Sequence, residues 1–191
     1  ENICVTECIC SKEQELLGND CYKPKETCLG FGDFAQYYID NKMGRKISSD
    51  EAFNLLDRAE EIGLVLQPTN SKELSAICCC CACCCPSLRF AKMVDKPSEF
   101  VHTYYKSTID PELCVACGDC IDRCPMDAIQ EGDNMTEVIG DRCIGCGLCV
   151  STCSEEAISL LEKPNMVKPE RTFPETLNKI AAERIVLKST S

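Results

Sequence analysis

The sequence predicts a fold in three parts, of which the central part contains an internal repeat. Residues 112–129 align with residues 141–158 without a gap, so that matching positions are 29 residues apart. Such a repeat predicts two similar half-domains related by a pseudo-twofold axis. Cysteine content marks the boundaries, because twelve of the 20 cysteines precede the repeat and eight lie within it. We therefore divide the chain into residues 1–103, 104–163 and 164–191.

Helical patterns dominate the first part, which we predict to be a small, mainly helical, cysteine-rich domain. Residues 34–41 predict one short helix that ends before Gly44. The start of a second helix is marked by Ser48 and Glu51, which are spaced as a capping box. Its apolar residues recur at helical intervals, and we expect them to pack in the core. We expect a glycine C-cap to end the helix. The stripe and its cap are Phe53, Leu55, Leu56, Ala59, Ile62 and Gly63.

The third part predicts a C-terminal amphipathic helix. Thr172 and Glu175 form another capping box, and Pro174 lies in the first turn. The apolar stripe of this helix should be buried, either against the first part of the chain or against another subunit. The stripe residues are Leu177, Ile180, Ala181 and Ile185.

Cysteine makes up 20 of the 191 residues, a content typical of folds that are stabilised by disulfides or by bound metal. Residues 1–10 lack the basic and apolar regions of a secretory signal, and no apolar run approaches the ~18 residues that span a bilayer. We therefore expect a cytoplasmic protein without a membrane span. In a reducing compartment, cysteines at this density indicate metal ions or clusters.

Each half of the repeat has three cysteines at intervals of three positions and a fourth cysteine four positions later. A short loop with this spacing can bind three iron corners of a [4Fe–4S] cubane, and the fourth cysteine binds the other cluster. Zinc sites more often pair two CxxC units, so the iterated spacing favours clusters. The predicted ligands are Cys114, Cys117, Cys120 and Cys153 for cluster I, and Cys143, Cys146, Cys149 and Cys124 for cluster II.

These motifs resemble the clostridial-type 2[4Fe–4S] ferredoxins, on the two CxxCxxCxxxC motifs, Pro125 and the stretch CIGCGLC at residues 143–149. The resemblance covers residues 104–163 and departs at Ser154, which occupies the position that matches Pro125. It implies a small pseudo-symmetric α+β unit with short hairpins, and with helices near residues 122–124 and 151–153. The expected fold class of the chain is therefore α+β. The resemblance also implies one-electron transfer.

Ten of the twelve cysteines in the first part are candidate ligands of a further metal centre. The early candidates lack a standard loop, whereas the run CCCCACCC at residues 78–85 can supply two sites, because adjacent extended residues point to opposite sides. Three interpretations remain open: one or two additional iron–sulfur clusters, which the spacing favours, structural zinc, and disulfides or redox-sensing thiols. The candidates are Cys8, Cys10, Cys21, Cys28, Cys78, Cys80, Cys81, Cys83, Cys84 and Cys85.

Charge and motifs indicate electron transfer with protein partners. The formal net charge of −11 argues against nucleic acid binding and suits docking on basic surfaces of redox partners, although it also provides solubility. We find no Ser-His-Asp pattern and no phosphate loop, and we expect the single histidine, His102, to have a packing or capping role. The predicted function is electron transfer as a subunit or dedicated partner of a larger, low-potential oxidoreductase complex. Similar cysteine-rich extensions precede ferredoxin modules in proteins of anaerobes, a resemblance that implies no role for the extension. Alternatives are a catalytic or substrate-binding subunit that acts at an unusual cluster in the first part, and a redox sensor.

Overall fold

A five-stranded antiparallel sheet organises the first part of the chain. The computed structural model describes residues 2–164 and 166–189, with the backbone alone for residues 185–189. The strands have the order β3-β1-β2-β5-β4, and all four neighbouring pairs are antiparallel. Their bounds are Ile3–Glu7 (β1), Glu26–Phe31 (β2), Arg45–Ile47 (β3), Val65–Pro68 (β4) and Ala76–Cys80 (β5).

Five helices connect and flank these strands. The helix that we expected at residues 34–41 is α2, and the capping box begins α3, where Ser48 Oγ accepts the Glu51 N–H at 3.1 Å. Gly63 follows α3 with a φ of +83°, the left-handed conformation that a C-cap glycine adopts. The bounds are Ile9–Leu16 (α1), Gly32–Asp40 (α2), Ser49–Glu61 (α3), Pro86–Met93 (α4) and Pro97–Phe100 (α5).

The sequence did not predict this sheet, although the five helices of the first part hold more residues than its five strands. Its strands are three to six residues long, and cysteine occupies positions on both faces of β5. The apolar alternation by which a strand is recognised is therefore hidden. Phe53 was also assigned wrongly to the core, since it is 65% exposed. The buried face of α3 is built on Ala52 and Ala59, whose small side chains let the helix lie close to its neighbours.

The core of the first part lies between one sheet face and α3. Ile3, Val5, Leu29 and Ile47 are buried there together with Ala52. Residues of β1 that point to the opposite face meet α2.

Gly30 makes room on that opposite face. A Cβ at this position would lie 2.8 Å from the Phe34 ring and 2.9 Å from Cys4 Sγ. A residue larger than glycine would therefore displace α2 or Cys4, which is fully buried.

The repeat of the central part is also a structural repeat. Both helices begin directly after a glycine in the left-handed conformation, and these two glycines are 29 residues apart. Because the glycine marks the start of the helix, each helix begins three residues earlier than we expected. The strands form two antiparallel pairs, β6 with β9 and β7 with β8. The bounds are Tyr105–Ile109 (β6), Asp119–Arg123 (α6), Ile129–Glu131 (β7), Thr136–Val138 (β8), Leu148–Thr152 (α7) and Ile158–Glu162 (β9). Helices and sheets together give the expected α+β class.

The first and central parts share one apolar core. Leu88 and Ala91 of α4 lie in the same buried cluster as Met126, Ile144 and Leu148. Polar contacts reinforce this junction, because the Arg142 side chain donates to the backbone carbonyl of Met126 at 2.9 Å and to that of Lys92 at 3.3 Å.

The C-terminal helix, α8, spans Phe173–Ser189 and has the expected capping box. The Thr172 N–H donates to Glu175 Oε2, and the Glu175 N–H donates to Thr172 Oγ1. Leu177 and Ile180 remain exposed, whereas the Ile185 side chain lies outside the described residues. Burial of the Leu177 and Ile180 side chains against the first part is therefore not observed, and their burial against another subunit stays a prediction. None of the helices in the described ranges combines the length and apolar character needed to cross a bilayer.

The segment before α8 docks on both other parts. The Lys72 N–H donates to the Glu170 carbonyl at 3.0 Å, which ties the segment to the first part. His102 and Tyr104 both contact the carbonyl of Val167, at 3.4 and 2.6 Å, and the single histidine is exposed at the module boundary.

Leu29 tests the packing of the five-stranded sheet. We expect Leu29→Ala to lower the free energy of unfolding by about 2–5 kcal/mol, because it removes a fully buried side chain from the core. Denaturant titration under anaerobic conditions measures this loss. Leu16→Ala, at a position 83% exposed in α1, is the matched control and should change stability by about 0.5 kcal/mol or less. Equal losses in the two variants would contradict this core.

Candidate metal centres

Two cavities in the central part are each lined by four cysteines. One cavity is lined by Cys143, Cys146 and Cys149 of the second half and by Cys124 of the first half. The other cavity has the converse composition, since it is lined by Cys114, Cys117 and Cys120 of the first half and by Cys153 of the second. The structure thus brings together both quartets of cysteines that the spacing predicts.

Left-handed residues fold each cysteine loop around its cavity. Ala116 and Gly145 have φ values of +55° and +63°, and Gly118 and Gly147 have φ values of +87° and +81°. These residues flank the second cysteine of each loop, on both sides. The two left-handed residues in each loop change the direction of the chain, so that successive cysteines line the same cavity.

The fourth cysteine of each half is held at the end of its helix. The Ala128 N–H donates to Cys124 Sγ at 3.3 Å, and the Ala157 N–H donates to Cys153 Sγ at the same distance. Ser154 replaces the proline of the first half without changing this arrangement. Both sulfur atoms can therefore be reached by the loop of the opposite half.

A buried hydroxyl group also contacts sulfur in each cavity. Ser107 Oγ lies 3.2 Å from Cys149 Sγ, and Thr136 Oγ1 lies 3.4 Å from Cys120 Sγ. Ser107 and Thr136 are 29 residues apart, so they are equivalent positions of the repeat. Sequence reasoning missed this pair because the repeat was followed only through the cysteine segment. Extending the offset toward the N-terminus would have aligned the two hydroxyl residues.

The two cavities differ in exposure. Burial raises the pKa of Cys146 to about 12, and burial also raises the pKa values of Cys124 and Cys149. In the other cavity, backbone hydrogen bonds from Thr136 and Ala116 lower the pKa of Cys114. Burial therefore favours the protonated thiols of Cys124, Cys146 and Cys149 unless a bound cation stabilises their thiolates.

The donor set and its spread fit iron–sulfur cubanes. Each cavity offers four thiols and no histidine. Within the described residues, no three thiols of either cavity lie within 4.8 Å of one another, the spread expected of ligands around one ion. The open centre therefore suits a group larger than a single ion, such as a [4Fe–4S] cubane with one thiolate at each iron.

Six thiols of the first part form a chain of contacts beside this core. Cys28 faces Cys78 across β2 and β5, and the chain continues to other cysteines at strand and helix ends. Hydrogen bonds from Cys28 and Cys80 lower the pKa of Cys78 to about 3, which favours a thiolate at the middle of the group. The members, in order of contact, are Cys10, Cys8, Cys28, Cys78, Cys80 and Cys85.

The four remaining candidates form a second and more compact group. The sulfur atoms of Cys21, Cys81, Cys83 and Cys84 all lie within 4.8 Å of one another. The two cysteines that are in neither group, Cys4 and Cys79, are both buried, and Cys79 packs with Ala59 and Leu64. Alternation along β5 explains this division, because Cys79 points away from the face that carries Cys78 and Cys80.

Comparison with known families supports the central part alone. Residues 107–160 match a family model described as a 4Fe-4S dicluster domain, a range that includes the eight cysteines of the repeat. No curated protein matches the chain. The match supports a ferredoxin-type module with iron–sulfur cofactors, and it also includes Ser107 and Thr136. The ten candidate thiols of the first part lie outside it.

Gly145 tests the loop geometry of the buried cavity. A Cβ at this position would overlap the backbone carbonyl of Tyr105, which is fixed by the pairing of β6 with β9. We expect Gly145→Ala to lower the iron and acid-labile sulfide bound per chain, measured on anaerobically purified protein. Gly118→Ala is the control, because a Cβ at this position meets no atom within 4 Å. The substitution should cost only about 1 kcal/mol, from backbone strain in the left-handed conformation. Unchanged iron in Gly145→Ala would contradict the close approach.

Proposed function

We propose that this chain is an electron-transfer protein that carries single electrons through two [4Fe–4S] clusters. In this proposal cluster I is bound by Cys114, Cys117, Cys120 and Cys153, and cluster II by Cys143, Cys146, Cys149 and Cys124. One observation carries the proposal: each cavity combines three cysteines of one half with the fourth cysteine of the other, within the segment that matches the dicluster family.

The clusters supply one-electron redox chemistry, and the surrounding residues hold them and set their environment. Each cavity is walled by apolar side chains, among them Ile129 and Leu148 at cluster II, which keep water from the buried thiolates. Hydroxyl groups of Ser107 and Thr136 and backbone amides of Ala128 and Ala157 donate hydrogen bonds to sulfur. Such donors stabilise the more negative, reduced state.

Exposure gives the proposed electron path a direction. Cys117 is exposed at cluster I, next to Val115, which is 63% exposed. Asp119 and Glu155 line the same cavity, and they offer negative charge to a basic surface of a redox protein. We propose that the partner, as a separate carrier or within a larger oxidoreductase complex, docks at this end.

The opposite end of the path lies toward the first part. Cys143 of cluster II belongs to the same buried cluster as Cys80 and Cys85 of the six-thiol chain. We propose that this chain holds an additional iron–sulfur cluster, which would exchange electrons with cluster II across the shared core. Six contacting thiols exceed the four that a cubane needs. This excess favours the second candidate function, a subunit that acts on a substrate at an unusual cluster.

Serine variants test whether the fourth cysteine of each half binds the cluster of the other half. We expect Cys124→Ser to perturb the same EPR signal of the reduced protein as Cys146→Ser, because both residues bind cluster II. Cys153→Ser should instead match Cys117→Ser, which alters cluster I. EPR spectra and iron counts of the four anaerobically purified variants provide the measurement. If Cys124→Ser paired with Cys117→Ser, each half would bind its own fourth ligand and the proposal would fail.

Hydroxyl donors should tune the two clusters separately. Ser107→Ala removes a donor to Cys149, so we expect a lower reduction potential for cluster II alone. Thr136→Val should lower the potential of cluster I alone, since its hydroxyl contacts Cys120. Anaerobic redox titration measures both potentials. Ser159→Ala, an exposed position of β9, is the control and should leave both unchanged, and equal shifts in all three variants would contradict the assignment.

A further inference from the structure

Cys21, Cys81, Cys83 and Cys84 form a compact sulfur group, called here the four-thiol group. Cys21 Sγ lies 3.8 Å from Cys81 Sγ and 3.6 Å from Cys83 Sγ, and Cys83 Sγ lies 3.8 Å from Cys84 Sγ. Among the described residues, this is the one group of cysteine, histidine and acidic side chains in which every pair of candidate ligand atoms lies within 4.8 Å.

These distances match the ligand shell of a single tetrahedral ion. A Zn–S bond of about 2.3 Å places the four sulfur atoms of a regular tetrahedron about 3.8 Å apart. A cubane holds its thiolates on four separate irons and therefore keeps them further apart. The eight cysteines of the central part show that wider spread, and the four-thiol group does not.

The donor chemistry selects zinc among common ions. Four thiolates without oxygen or nitrogen donors suit a soft or borderline metal and exclude magnesium and calcium. A shell of four protein ligands leaves no open position, which is typical of structural zinc sites. We propose that the four-thiol group binds one Zn²⁺ ion and that this ion has a structural role.

The position of the group explains what such an ion would hold together. Cys21 lies between α1 and β2, whereas the other three cysteines lie between β5 and α4, 60 residues or more further along the chain. The site therefore links the loop that precedes β2 with the loop that follows β5, at one end of this pair of neighbouring strands. Cys80 and Cys85 flank the three clustered cysteines in sequence, so the ion would also fix the six-thiol chain against cluster II.

A redox-inert ion also suits the exposure of this site. Cys83 is the exposed member of the group, whereas Cys80 and Cys85 are buried. Zn²⁺ does not change oxidation state. It would occupy the solvent-facing end of the cysteine run without opening a second exit for low-potential electrons.

Metal analysis of the full chain tests this proposal. We expect anaerobically purified protein to contain one zinc per chain in addition to its iron, and Cys21→Ser and Cys83→Ser to lose the zinc while both cubanes remain reducible. Cys10→Ser is the control, since Cys10 belongs to the six-thiol chain and its loss should leave zinc in place. Replacement of zinc by Co²⁺ should give the absorption bands of tetrahedral cobalt with thiolate ligands.

Two results would overturn the proposal. Loss of iron and retention of zinc in Cys21→Ser would assign the group to an iron–sulfur cluster. Absence of zinc from the wild-type chain, together with no thiolate bands on adding Co²⁺, would show that the group binds no single ion. Failure of the proposed electron-transfer function would be recognised separately, because it requires loss of reducible iron in the central part, which these variants leave unaltered.

Discussion

The central part is organised around one cysteine that each half presents to the cavity of the other half. Cys124 ends the helix of the first half and lines the cavity of the second, and Cys153 does the reverse. Three cysteines on a short loop leave one corner of a cubane without a ligand, so neither half can complete a site alone. If the cavities hold cubanes as proposed, cluster binding and docking of the two halves would be one event, and it would add to the apolar core that the central part shares with the first part.

Sulfur also replaces ordinary core residues elsewhere in the molecule. Buried cysteines lie in the same apolar clusters as leucine, isoleucine and methionine, both in the first part and at the junction with the central part. Thiols bury less apolar surface than aliphatic side chains and have raised pKa values when they are buried without a partner. The proposed metal centres would thus contribute stability that a larger hydrocarbon core supplies in other proteins of this size.

Strong local signals made the sites of the central part predictable, whereas the sheet of the first part was not. The iterated cysteine spacing constrains a short loop, and the capping boxes at Ser48 and Thr172 are local hydrogen bonds, so sequence alone was sufficient for both. The strands pair residues distant in sequence, such as Cys28 with Cys78, and their cysteines obscure the alternation of apolar and polar positions. Sorting ten thiols into two groups likewise required the register of β2 and β5.

The left-handed residue before the second cysteine makes the two halves of the repeat non-equivalent. Alanine occupies this place in the first loop, whereas in the second loop the Tyr105 carbonyl leaves space for hydrogen alone. At this position glycine is compatible with either loop, whereas alanine is compatible with the first loop alone. The unit therefore has a built-in polarity although its cysteine pattern is symmetric.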